Sequence, residues 1–234
     1  MQALLARRNI VAVGIIVFAI LPTVANAYIV FVANLALMYI LLSVGLNMLL
    51  GYAGQLAFPN AALFGVGAYT SGLLRLEFDL PYWITLPAGA AFATLIGLAI
   101  ALPALRLRGL YLALATIAFA QAALWVFGHW NSVTYGGAGF RVPPMDFSPL
   151  PLDPSTGIYY LTLIIVLVAV PLGWNMLRSR VGRAWVALRE SEVAAATLGI
   201  DLTRYKAYAY VVSGLYAGTA GAIFSALLGI VTPE

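Results

Sequence analysis

Apolar residues run along this chain in blocks, at residues 10–25, 28–50, 60–74, 82–102, 110–127, 158–177 and 207–231, with short polar turns between them. Runs of about 18 or more apolar residues have the length a helix needs to cross a hydrocarbon core. The alternating strands of about ten residues that mark a membrane barrel are not seen. The pattern predicts an all-α polytopic membrane protein with about seven transmembrane helices, built as one transmembrane domain over residues 1–234. Arg75, Glu77 and Asp79 follow the third block and read as a polar turn. Arg106 and Arg108 follow the fourth. A Pro- and Gly-rich stretch at 129–157 reads as a longer loop.

The second and third blocks are not joined by an ordinary turn. The stretch from Gly51 to Asn60 (GYAGQLAFPN) is too apolar to be a solvated loop and too rich in breakers to be a regular helix. Glycine and proline interrupt the helix and free backbone N–H and C=O groups. In a membrane such a break survives only where it is buried in protein or lines a wet cavity. A broken or re-entrant segment near 51–60 is therefore expected. Asn47, Gly51, Gly54, Gln55 and Asn60 are its candidate translocation-pathway residues. The plainer alternative is a tight packing turn whose amides satisfy the loosened backbone. Gly65, Gly67, Gly214, Gly218 and Gly221 read as sites of close helix packing.

Composition sharpens this picture. The chain is 63% hydrophobic and only 9% charged, where soluble domains carry about a quarter charged residues. Six of its 12 basic and three of its 8 acidic residues fall within 178–206. Placing Arg7 and Arg8 in the cytoplasm puts Arg106, Arg108 and the 178–206 loop inside, and the 129–157 loop outside, as the positive-inside rule requires. Arg7–Arg8, a short apolar run and Ala25-Asn26-Ala27 also resemble a cleavable signal peptide. The next apolar block follows without a gap, which favours a retained first span. With no cysteine, thiol chemistry and disulfides are excluded. The single His129, beside Trp130, reads as an interfacial belt residue. The basic cluster interleaves acids, so no nucleic acid partner is expected; the partner of the apolar surface is membrane lipid.

Residues 183–198 read as one amphipathic helix on which Ala184, Ala187, Leu188, Ala194, Ala195 and Leu198 form a shallow small-residue face. Arg183, Arg189, Glu190 and Glu192 lie elsewhere on it, with Arg189 and Glu192 close enough to pair. Gly199 suits the position after a helix C-terminus, and Asp201 or Thr203 suits the next N-cap. The helix is too short and charged to cross a bilayer, and its face suits docking into a protein groove. A surface helix that only anchors the cytoplasmic side is the alternative. No G-x-x-x-x-G-K-[ST] motif occurs, and no charged residue falls inside an apolar block, which argues for an external motor over a proton-coupled carrier. Sodium coupling through backbone carbonyls stays open.

Four stretches resemble branched-chain amino acid ABC-transporter permeases of the LivM type. They are GLNMLLGYAGQ from Gly45 with FGVGAY from Phe64, LRLRGLYLALAT from Leu105, TYGGAG from Thr134, and the run from Arg178 through Gly182-Arg183-Ala184, Arg189-Glu190, Ala194-Ala195 and Gly199-Ile200 to Lys206. The resemblance implies the permease subunit of an importer in the bacterial inner membrane, multi-pass, with a cytoplasmic N-terminus. The subunit itself is not an enzyme and carries no cofactor. Implied partners are cytoplasmic P-loop ATPase subunits, a second homologous permease and a periplasmic solute-binding protein. The 178–206 loop would be the ATPase-coupling element, with Glu192, Ala194, Ala195 and Gly199 on it and Arg183, Arg189 and Glu190 beside it. The implied solutes are branched-chain amino acids, with urea or short amides as the alternative. Members of that family often carry Gly-His where this chain has Pro59-Asn60. They also continue beyond the position of Glu234, so the chain reads as lacking C-terminal spans.

Overall fold

The computed structural model describes residue 14 and residues 17–107, 109–145 and 153–233. Residues 17–24 (the described part of α1) are helical. They are pinned to the helix that begins at Pro154 by hydrogen bonds from the Tyr159 and Tyr160 hydroxyls to the Phe18 and Ala19 carbonyls, at 2.8 and 3.2 Å. Residues 10–13, 15 and 16 of the first expected block lie outside the described residues. Asn26, within the cleavage-site-like triplet, caps α2 (Ala27–Leu46), its side chain accepting from the Ile29 N–H at 3.0 Å.

The helix then widens into a π turn over Asn47–Tyr52. α3 (Asn60–Phe78) ends on Asp79, whose φ of 49° closes the helix in the left-handed conformation. α4 (Tyr82–Ala104) follows Pro81, and α5 (Leu110–His129) follows Gly109. The 129–157 loop is structured in part, by α6 (Asn131–Thr134), a 3₁₀ turn at Gly136–Ala138 and β1 (Phe140–Arg141). α7 (Pro154–Arg178) places Pro154 in its first turn, where a missing N–H is harmless. α8 (Arg180–Glu190) and α9 (Glu192–Thr197) form a short hairpin. α10 (Leu202–Leu228) leads to β2 (Ile230–Val231), which pairs antiparallel with β1, Phe140 opposite Val231.

Among the described residues, five helices are long and apolar enough to span a bilayer: Ala27–Tyr52, Tyr82–Ala104, Leu110–His129, Pro154–Arg178 and Leu202–Leu228. α3 has 19 residues but a more polar composition. It extends four residues past its expected end and takes in Arg75, which is buried on the helix and not part of a polar turn. The last helix starts five residues earlier than expected and carries the buried Lys206. The apolar blocks themselves hold no charge, but the helices run past them and take in charged residues, of which Arg75 and Lys206 are buried.

α10 is the central helix, packing on α4, α3 and α2. The contact is close because small residues meet: a Cβ on Gly67 would overlap the Gly218 carbonyl, and one on Gly221 the Phe64 carbonyl. Without a hydrophobic drive between helices in lipid, such backbone approach is what holds them together. α5 sits at the margin, with Leu110, Tyr111, Leu114, Ile117 and Trp125 turned outward. His129 stacks on Trp125 at 4.6 Å in this exposed region.

Substituting Gly221 by alanine should cost about 1–3 kcal/mol through overpacking. The detergent-solubilised unfolding midpoint should fall by several degrees, at roughly 2–4 °C per kcal/mol. Gly128→Ala, with nothing within 4 Å of the added Cβ, should leave it unchanged or raised. Equal midpoints for both variants would contradict the packing described.

Candidate functional site

The α8–α9 hairpin is shaped by its serines. Ser179 caps α8 by accepting from the Val181 N–H at 3.1 Å. Ser191 adopts an extended conformation (φ −162°, ψ 115°) and its hydroxyl accepts from the Ala194 N–H at 3.2 Å. Residues 183–198 are therefore two helices and not the single expected one. A serine that offers its hydroxyl to the backbone starts a new helix in preference to continuing the old one. Gly199, at φ +79°, ends α9, and Asp201 caps α10 by accepting from the Arg204 N–H at 3.1 Å.

The break also rotates the expected apolar face. Ala184, Trp185, Leu188 and Ala195 are buried against the bundle. Trp185 is 0% exposed and donates from its indole nitrogen to the Tyr205 carbonyl at 2.8 Å, fixing α8 to α10. Glu192 pairs with the buried Lys206 at 2.5 Å. The expected Arg189–Glu192 pair does not form. Arg189 pairs with Glu190 at 2.9 Å, and its other terminal nitrogen donates to the Gly51 carbonyl at 2.9 Å. What faces outward is different: Val193 is 71% and Leu198 77% exposed, beside exposed Ala194 and Ala196. An open cleft of about 400 Å³ runs between α9 and the start of α10, lined by Glu192, Val193, Ala196, Thr197 and Leu202. Arg183 and Glu190 are exposed on α8.

The Arg189 contact reaches the broken segment. Gly54 has φ +65°, and a Cβ there would sit 2.6 Å from Arg189 Cγ and 2.9 Å from its Cα, so only glycine lets α8 lie this close. Several backbone N–H groups at the break find partners nearby. The Ala53 and Gln55 N–H groups donate to the Met48 and Leu49 carbonyls at 3.0 and 3.1 Å. The Phe58 N–H donates to the Thr116 hydroxyl of α5 at 3.0 Å. The Gln55 amide is buried and donates to the Ala53 carbonyl at 3.2 Å. The Asn60 side chain is buried and accepts from the Ser213 hydroxyl of α10 at 3.0 Å.

The two groups of expected residues thus meet at Arg189, Gly51 and Gly54. The five expected pathway residues do not share one surface, because Asn47 is exposed while Gln55 and Asn60 point into protein. Sequence reasoning missed Trp185, Lys206 and Val193. Lys206 and Trp185 are visible only as a lone lysine and a tryptophan within a charged stretch.

A model of the family described as branched-chain amino acid transport system / permease component matches residues 28–234. The chain is 32% identical to the high-affinity branched-chain amino acid transport system permease protein LivM of Escherichia coli (strain K12), over 97% of this chain and 60% of that protein. It is also 32% identical to the protein of the same name from Salmonella typhimurium, over 87% of this chain and 53% of that one. Against the probable branched-chain amino acid transport permease protein LivH of Methanocaldococcus jannaschii, identity is 26% over 82% of this chain and 64% of the relative. The chain spans between 53% and 64% of the length of these relatives. No solved structure matches it. The chain belongs to the branched-chain amino acid transport system permease family.

Replacing Arg189 by glutamine removes a charge-assisted bond to the Gly51 carbonyl. Amide hydrogen exchange over residues 53–58 should speed up several-fold, in line with a loss of about 1 kcal/mol for a partly exposed bond. Exchange at wild-type rates would show that Arg189 does not hold the segment.

Proposed function

We propose that the chain is the membrane-spanning permease subunit of an ATP-driven importer for branched-chain amino acids. The α8–α9 hairpin is its cytoplasmic coupling element, the N-terminus lies on the same side, and a periplasmic binding protein delivers the solute. A second homologous permease completes the pore. The observation that carries this reading is the two-sided hairpin. One side is fastened to the bundle through Trp185, Lys206 and the Arg189–Gly51 bond, while the other offers Val193, Ala194 and Leu198 to an incoming groove. An exposed apolar patch of this kind marks an interaction site.

Family membership supports the transport role, and the LivM relatives are named for branched-chain amino acids. ATP-driven closure of two P-loop ATPase subunits would push on the hairpin and rock the helices about residues 51–60, giving alternating access.

The test is copurification of the tagged permease, expressed with its full transporter, from mild detergent. A P-loop ATPase should be recovered with the wild type. Val193→Asp combined with Leu198→Asp should lower its recovery about tenfold or more, as loss of an apolar anchor does, without changing permease expression. Full recovery of the ATPase with the double variant would move the docking surface elsewhere. Absence of any ATPase from the wild type would overturn the reading itself.

A further inference from the structure

The end of the bundle opposite the hairpin holds a second polar site. At about 1.5 Å of rise per residue, the 19 residues of α3 carry the chain from Asn60, near α8, to this far end, where Arg75 lies. Arg75 is 8% exposed, and one terminal nitrogen donates to the Pro144 carbonyl at 2.9 Å. Its Nε and its other terminal nitrogen are buried without a hydrogen-bond partner. A guanidinium keeps its charge in proteins, and a buried charged donor without an acceptor is strongly unfavourable. The Tyr82 ring, 5.8 Å from the guanidinium carbon, covers the group but accepts neither hydrogen. Of the nearby acids, Glu77 is engaged by the Tyr135 hydroxyl.

Arg75 lines a cavity of about 320 Å³ together with Asp79, Tyr82, Trp83, Pro144 and Leu161. That volume is at the small end of ligand pockets, and it joins one cation and one anion to aromatic and aliphatic walls. Asp79 follows Arg75 by four residues, at the left-handed end of α3, with its carboxylate on the exposed rim.

We propose that this pocket is an α-amino-acid subsite on the permease itself. Arg75 takes the solute carboxylate when its guanidinium, closed in with two donors unpartnered, turns toward the cavity it lines, Asp79 takes the ammonium group, and Tyr82, Trp83 and Leu161 border the solute side chain. Charge-assisted bonds of this kind are the strong ones, and two opposite charges on one wall select a zwitterion over a neutral or singly charged analogue. A small solute suits the enclosed guanidinium better than a side chain on a docked protein does. The inference rests on the importer reading for the nature of the solute.

The test uses the assembled permease–ATPase complex in nanodiscs without its binding protein, and measures binding of radiolabelled leucine. Leucine should compete with the label, while leucinamide (no carboxylate) and 4-methylpentanoate (no ammonium) should compete at least tenfold less well. Arg75→Gln should lower leucine affinity tenfold or more, and Arg75→Lys should recover part of it. Asp79→Asn, at the pocket's exposed rim, should also lower affinity and serves if Arg75→Gln fails to assemble. Leucine binding unchanged in both Arg75→Gln and Asp79→Asn would overturn the subsite. So would a wild-type complex that retains its ATPase and binds no leucine, an outcome that leaves the importer reading intact. If Arg75→Gln instead weakens only the docking of the binding protein, the carboxylate is a protein side chain and the solute assignment fails.

Discussion

A chain that breaks between two helices has to find partners for the backbone groups the break releases. The joint between α2 and α3 meets this demand from three directions. The π turn at Asn47–Tyr52 feeds carbonyls back to Ala53 and Gln55, α5 offers the Thr116 hydroxyl to Phe58, and α8 sends Arg189 to the Gly51 carbonyl. The position of the hairpin is therefore not independent of the joint. Moving α8 away removes an acceptor's partner at Gly51, and Gly54 exists as glycine because Arg189 is pressed against it.

The same medium explains why α10 packs so differently from α5. Apolar side chains facing lipid gain nothing by turning inward, so helix association depends on dispersion and backbone proximity. At the meeting of α3, α4 and α10, glycines let backbones touch, and almost no side chain intervenes. α5 lacks such a seam and leaves a broad apolar face outside. A face like that suits lipid or a second permease equally well.

The helices and their caps were legible because they depend on neighbours in sequence. Apolar block length set the spans, Gly199 ended α9 and Asp201 began α10 through local chemistry. The errors came where tertiary contact decided. Helical spacing showed that Ala184, Leu188 and Ala195 share an apolar face, but periodicity cannot say whether that face meets a partner or the protein's own bundle. Ser191 fits a helix interior by propensity and broke the helix by capping. Arg75 and Lys206 looked like polar boundary residues because hydropathy averages over a window. Their burial is visible only once Pro144, Tyr82 and Glu192 surround them.

These two buried cations divide the molecule's polar economy in a telling way. Lys206 has its carboxylate in Glu192, and the pair clips α9 to the first turns of α10. Such pairs add little net stability, since desolvation offsets attraction, but they fix one arrangement over others. Arg75, at the other end of the same bundle, keeps two donors unmatched. Asn60 Nδ2 and the Tyr69 and Tyr210 hydroxyls are also buried without partners, but a half-paired guanidinium is the costlier orphan because it carries charge. α3 joins the two regions directly, beginning at the joint held by Arg189 and ending at Arg75. Continuity through one rigid helix is not itself a coupling energy. It does mean that displacement of the joint and geometry of the far pocket cannot change independently unless α3 bends, and the α3 backbone is seamed to α10 at Gly67 and Gly218, and at Phe64 and Gly221.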